Sequence, residues 1–191
     1  MRLASLVLAI ALAFGAPAVH AGPHTLDKSH AHVTFVVSHL GFSSVHGQFR
    51  KFDADISFDA EKVETSSVAF TIDAASVDTF WEPRDKHIRG ADFLDVENHP
   101  TITFVSTSIT TTGADTADVT GDLTIRGVTQ SVTFQAKMNK IGPSPFNPNK
   151  TIAGFTVTGE IDRTQFGVSY AAPAVSAVIP VKIELEMSPT S

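Results

Sequence analysis

The chain of 191 residues contains no cysteine, a single tryptophan, a single tyrosine and one long apolar run, at its start. Without cysteine there is no disulfide staple, no thiol nucleophile, no CxxC redox pair and no zinc–thiolate centre. Fourteen phenylalanines stand against the lone Trp and Tyr, so the aromatic rings here seldom carry a polar handle. Positive charge is scarce as well. The formal net charge is −6, a poor match for nucleic acid or other polyanionic partners. No GxSxG elbow, HExxH pair or glycine-rich phosphate loop occurs, so the usual hydrolase, zincin and nucleotide chemistries lack a motif.

The apolar run has the form of an export signal. Arg2 precedes Leu3 to Phe14, and Val19-His20-Ala21 places small side chains at the two positions a signal peptidase inspects. Pro17 and His20 interrupt the run well short of the roughly twenty residues a membrane-spanning helix needs. This pattern predicts cleavage after Ala21, a mature domain over residues 22–191 and a soluble protein beyond the inner membrane. That length suits one domain with its own core.

From Thr25 onward the dominant hydrophobic period is two. Val33, Phe35 and Val37 share a face, and Val45 to Phe49 alternates. After Lys51 the parity shifts to Phe52, Ala54, Ile56 and Phe58, which predicts a bulge that bends one long strand. Further alternating runs follow through Val68–Ile72, Ile102–Phe104, Val119–Ile125, Val132–Met138, Phe155–Ile161 and Ile179–Met187. Arg126-Gly127 reads as a tight hairpin turn. Asn139 to Lys150, with three prolines, reads as a long loop, and Gly167 to Ala177 has no clear pattern. Eight or nine long strands in sequential order predict an all-β antiparallel meander closed into a barrel.

One segment departs from this pattern. Asp78 to Phe93 is charged and helix-capable: Pro83 suits a first turn, Asp85 and Arg89 are spaced as an i, i+4 pair, and Gly90 can end the helix. Thr79 and Glu82 have the spacing of a capping box, and Glu82 ahead of Pro83 fits equally well. Such a two-turn helix would cap one end of the barrel.

Several separated words align with one family. They include Leu26-Asp27-Lys28-Ser29-His30, Val45-His46-Gly47-Gln48-Phe49, Arg84-Asp85-Lys86-His87-Ile88-Arg89, His99-Pro100-Thr101-Ile102-Thr103-Phe104, Gly121-Asp122-Leu123-Thr124-Ile125-Arg126-Gly127-Val128 and Arg163-Thr164-Gln165-Phe166-Gly167. In these words the chain resembles the YceI family of lipocalin-like, periplasmic polyisoprenoid-binding proteins. The resemblance implies an antiparallel eight-stranded barrel, a long apolar cavity holding an isoprenoid quinone, a polyisoprenoid or another long-chain lipid, a periplasmic address and no settled enzymatic activity. The reading taken here is a non-enzyme. Phe80-Trp81 is bulkier than the polar pair usual ahead of the Arg-Asp-x-His word, a departure that would either narrow the mouth or change the ligand.

On this reading the cavity residues are Phe35 and Val37 from the first long strand, with Phe42, Phe49 and Phe52 from the second. Ile72 follows from the third, then Phe80, Trp81, Ile88 and Phe93 from the helical insert. Phe104, Leu123, Phe134, Phe155 and Phe166 complete the set. The plainer reading of the same phenylalanines is an ordinary filled core. A forty-carbon tail gaining roughly 0.3 kcal/mol per heavy atom would gain on the order of 12 kcal/mol, near nanomolar affinity. Arg84, His87 and Arg89 are the candidate head-group donors, against the alternative of a solvated helix. Their interruption by Asp85 and the neighbouring aromatics favour a neutral head over a pyrophosphate.

Two histidines on a strand face, without cysteine or a fixed carboxylate, make a poor metal site, and no metal is expected. The reading therefore calls for no cofactor beyond the lipid ligand itself. An enzyme using His87 and Asp85 as acid and base on a lipophilic substrate is the rival from another class. A structural envelope protein without ligand is a third. A monomer and a homodimer both fit, as does a transient contact with a membrane or a membrane protein.

Overall fold

The structure is a computed structural model that describes residues 22–190. The predicted signal peptide lies outside the described residues. Three long strands near the start of the domain are each broken once. β1 (Gly22–Leu26) and β2 (His32–His39) flank a 3-10 turn at Lys28–His30. β3 (Ser43–Phe49) and β4 (Phe52–Phe58) flank Arg50-Lys51, and β5 (Ser67–Asp73) and β6 (Val77–Asp78) flank a 3-10 turn at Ala74–Ser76. The others run unbroken: β7 (Thr101–Thr111), β8 (Thr116–Ile125), β9 (Val128–Pro143), β10 (Thr151–Asp162) and β11 (Val178–Pro189).

The breaks have local causes. The Asp27 carboxylate accepts the Ser29 N–H, and the Asp73 carboxylate accepts the Ala75 N–H, offering the backbone a turn in place of the ladder. The second and third breaks are stitched together: Arg50 N donates to Ser76 O at 3.1 Å, and Asp73 N to Lys51 O at 3.0 Å. Each break reverses the inward parity, from Leu26 to Val33, from Phe49 to Phe52 and from Ile72 to Val77. The bulge read at Lys51 is one of three.

All pairings are antiparallel. β1 pairs with β4 and β11, and β2 with β3 and β11. β3 pairs with β6, and the rest follow as β4-β5-β7-β8-β9-β10-β11. Counting each broken strand as one, eight strands close into a barrel, and closure leaves no long free edge. Arg126-Gly127 joins β8 to β9 with positive φ at both residues (49° and 73°), as a two-residue type I′ hairpin requires. The loop expected over Asn139–Lys150 is shorter. β9 continues through Ile141, Gly142 and Pro143, which pair with β10, leaving only Ser144 to Lys150.

The insert forms α1 (Glu82–Arg89), and Gly90 ends it. Neither expected cap is used. Trp81 is the N-cap without a side-chain bond, and the helix starts at Glu82. Asp85 does not pair with Arg89. It is buried, with its carboxylate accepting both the Thr79 N–H at 2.9 Å and the Thr79 hydroxyl. Arg89 instead meets Glu82 at 2.9 Å and the carbonyls of Ala75 and Val77.

The patternless stretch after Phe166 is a strap across the helix end. It follows a 3-10 turn at Arg163–Phe166 and joins the tip of the β2–β3 hairpin. His39 bridges Val175, Leu40 N donates to Ala174 O at 2.9 Å, and Ser176 N to Ser38 O at 3.0 Å. Packed apolar clusters lie towards both ends. One is built on Val33, Ile72, Ile102, Ile125 and Phe166, and the other on Phe58, Ala153 and Met187.

Candidate functional site

Between those clusters the barrel is hollow. The bore has a volume of about 720 Å³, within the roughly 300–1,000 Å³ of small-molecule sites. Its wall is alternate side chains of every long strand, such as Val119 and Leu123, Val157 and Ile161, and Val181, Ile183 and Leu185. Many of these inward residues are only half-buried, Phe35, Phe104, Val157 and Val181 among them. An inward aliphatic in a filled core would be closed off. Here it still faces open space.

Glycines explain why the phenylalanines do not fill that space. A Cβ at Gly47 would come within 2.2 Å of the Phe35 ring, one at Gly121 within 2.5 Å of Phe104, and one at Gly159 within 2.5 Å of Phe134. Each ring therefore lies flat over a neighbouring strand's glycine, against the wall rather than across the bore. Phe104 and Phe134 then meet edge to face at 5.4 Å.

Of the residues expected in the cavity, Phe35, Val37, Phe49, Ile72, Ile88, Phe93, Phe104, Leu123, Phe134 and Phe155 line it. Five do not. Phe52 stacks on Phe70 at 5.6 Å and is taken up by the packed cluster below the bore, and Phe166 is fully buried in the same cluster beneath the strap. Phe42, Phe80 and Trp81 are exposed. Phe42 leaves the β2–β3 turn away from the bore. The Phe80 N–H is held by Asp78, and a φ of 65° turns its side chain outward, so Phe80 and Trp81 do not narrow the bore.

Ser57, Ser66, Ser67, Thr111, Asp115 and Thr116 line the end of the bore away from the helix, and its basic side chains gather at the helix end. Arg84 and His87 line it as expected, whereas Arg89 is spent on carbonyls outside it. Arg84 donates through Nε to the Thr79 hydroxyl at 2.7 Å and through Nη2 to the Thr79 carbonyl. The nearby Asp78 carboxyl is held down to about pKa 2, chiefly by the Phe80 N–H, then by Gln48 and Arg50. His87 pairs through Nε2 with Asp92 at 2.9 Å, and its ring meets Phe93 and Tyr170 edge-on at 5.0 and 5.2 Å. His87 thus takes Asp92 as its carboxylate partner, and Asp85 is bonded to Thr79. The acid–base pair imagined for an enzyme is not assembled.

Sequence reading missed the strap. Arg163 is buried, and its guanidinium donates to the carbonyls of Val168, Tyr170, Val175 and Ser176. Burial pulls its pKa below the ordinary arginine value. It fixes Val168, Tyr170, Ala171 and Val175 against the bore. The available signal was a lone arginine directly after a capping aspartate, Asp162. Asp27, His30 and Glu186 form a metal-sized cluster at the waist. Asp27 is already engaged by Ser29 and His30, and its pKa is lowered by those bonds.

A closed antiparallel barrel around an apolar bore defines a lipocalin-like barrel. The chain belongs to the YceI-like family: that domain's sequence profile matches residues 24–187. It is 44% identical over 186 residues to the UPF0312 protein of Ectopseudomonas mendocina, covering 96% of this chain and 95% of that one. BcnA of Burkholderia cenocepacia is similar in structure, with a TM-score of 0.76 at 28% identity over 84% of this chain and 98% of that one. A polyisoprenoid-binding domain from Saccharophagus degradans shares the fold, with a TM-score of 0.64 at 15% identity over 88% of this chain and 99% of that one.

Proposed function

We propose that the protein is a non-enzymatic carrier or store for one long-chain lipid, an isoprenoid quinone or related polyisoprenoid, exported to the periplasm. The observation that carries this reading is the bore itself, about 720 Å³ in volume and walled by apolar side chains that its own rings leave half-buried. A tail laid along it would remove that surface from water at roughly 25 cal/mol per Å². The polyisoprenoid-binding domain that shares the fold supports the ligand class. The Arg2-led apolar run and Val19-His20-Ala21 support the address.

The helix end favours a neutral head group. Arg84 is held by Thr79, Arg163 by four carbonyls and Arg89 lies outside, so no cluster of free cations converges as a pyrophosphate would need. His87, flanked by Phe93 and Tyr170, suits a ring carbonyl or hydroxyl. The test is to extract the purified protein with organic solvent and identify the extract by mass spectrometry. A stoichiometric prenyl-chain lipid with an uncharged head is expected. Protein that carries no lipid and takes up none from an added quinone would refute the carrier.

A further inference from the structure

Of the eight large apolar side chains exposed among the described residues, five surround the helix end: Leu40 at 50%, Phe42 at 90%, Phe80 at 71%, Trp81 at 59% and Tyr170 at 49%. Three elements join to make this rim. The β2–β3 tip is bonded to the strap through Leu40 N and Ala174 O, the strap's Tyr170 packs on His87 of α1, and Trp81 caps α1. Leu40 and Tyr170 also line the bore, so side chains of this rim are shared between the bore and the outer surface.

Two more observations identify what this surface meets. The chain's only tryptophan and only tyrosine both stand on it, and these amphipathic rings are the ones that favour a membrane–water interface. The Arg84 guanidinium lies 5.6 Å from the Trp81 ring, so a cation sits beside the interfacial aromatic. The backbone also holds apolar side chains outward at a cost. Leu40 and Phe80 have φ of 54° and 65°, a left-handed region disfavoured for bulky side chains.

We propose that this rim docks the barrel, mouth first, on the surface of a lipid bilayer, so that a tail passes between membrane and bore without crossing water. The proposal rests on the lipid-holding reading above. A chain of net charge −6 gains nothing from an anionic surface, so the contact is apolar and does not depend on acidic lipid.

The test uses the mature chain with phosphatidylcholine vesicles, with and without added phosphatidylglycerol. Trp81, the sole tryptophan, reports docking by a blue shift of its emission, and co-sedimentation measures partitioning. Docking is expected on both vesicle types, no stronger on the anionic one. The double variant Phe42→Ser, Phe80→Ser is expected to weaken partitioning by about tenfold or more per ring. Leu40→Asn places Asn-Gly in a turn with two positive φ values, the preferred pair there, and should raise thermal stability while weakening docking. Binding of cis-parinaric acid in vesicle-free solution follows the bore separately, and the double variant should retain it. No emission shift on any vesicle, or equal partitioning of the double variant, would overturn docking and points to a protein partner for the rim. Docking retained while the bore takes up no parinaric acid would instead overturn the lipid-holding reading.

Discussion

Gly159 faces the Phe134 ring so closely that a methyl group there has no room: its Cβ would lie 2.5 Å from the ring, and every close atom belongs to that flexible side chain. Gly159→Ala should therefore rotate Phe134 into the bore while leaving the ladder intact. Displacing about six ligand carbons at roughly 0.3 kcal/mol each predicts a loss of tail affinity on the order of tenfold or more, measured by titration with a fluorescent lipid. Gly121→Ala is a harsher change, because the same Cβ would also meet the Val105 carbonyl at 2.4 Å, and it should cost stability as well. Asp78 gives a pH signature. Its carboxyl is depressed to about 2, so the stability it contributes is complete above its ordinary value of 3.8 and is lost as pH falls towards 2. Trp81 emission should report a transition between about pH 4 and pH 2 that is missing in Asp78→Asn.

At the scale of elements, the strap depends on one buried side chain. Arg163→Met removes donors from four carbonyls of residues 168–176 and leaves them without their charged partner. The expected destabilisation is about 3 kcal/mol. Amide exchange should quicken first at Leu40 and Ser176, whose N–H groups join strap to hairpin. That strap was invisible in the sequence for a physical reason. Its order comes from side-chain-to-carbonyl bonds and not from a hydrophobic period, and neither Val168 nor Val175 announces a carbonyl bonded by Arg163. The strands were legible because β10 and β11 alternate without interruption. The parity change at Lys51 also revealed one of the three breaks. The helix was legible from Pro83 and Gly90, but its cap was not, because Asp85 reaches back to Thr79 rather than outward to Arg89.

For the whole molecule, a closed meander was readable, while a hollow interior was not. The same Phe35, Phe104 and Phe134 that suggest a greasy cavity would fill a solid core equally well, and only the facing glycines decide between the two. The rim residues Phe42, Phe80 and Trp81 were assigned to the cavity because apolar character says nothing about direction. Positive φ at Phe80 and the turn before Phe42 point those side chains away. A hollow barrel should be markedly less stable empty than filled. With free ligand at a thousand times its dissociation constant, occupancy adds about 4 kcal/mol, or on the order of 10 °C in Tm for a domain of this size. Thermal scans of delipidated and reloaded protein check this.

The most direct measurement is a native mass spectrum of the purified, undenatured protein before and after solvent extraction. One lipid per barrel is predicted, lost on extraction and restored when a polyisoprenoid quinone is added back. A spectrum showing only bare polypeptide before extraction, and no adduct after quinone is added, would mean the bore is not a ligand site.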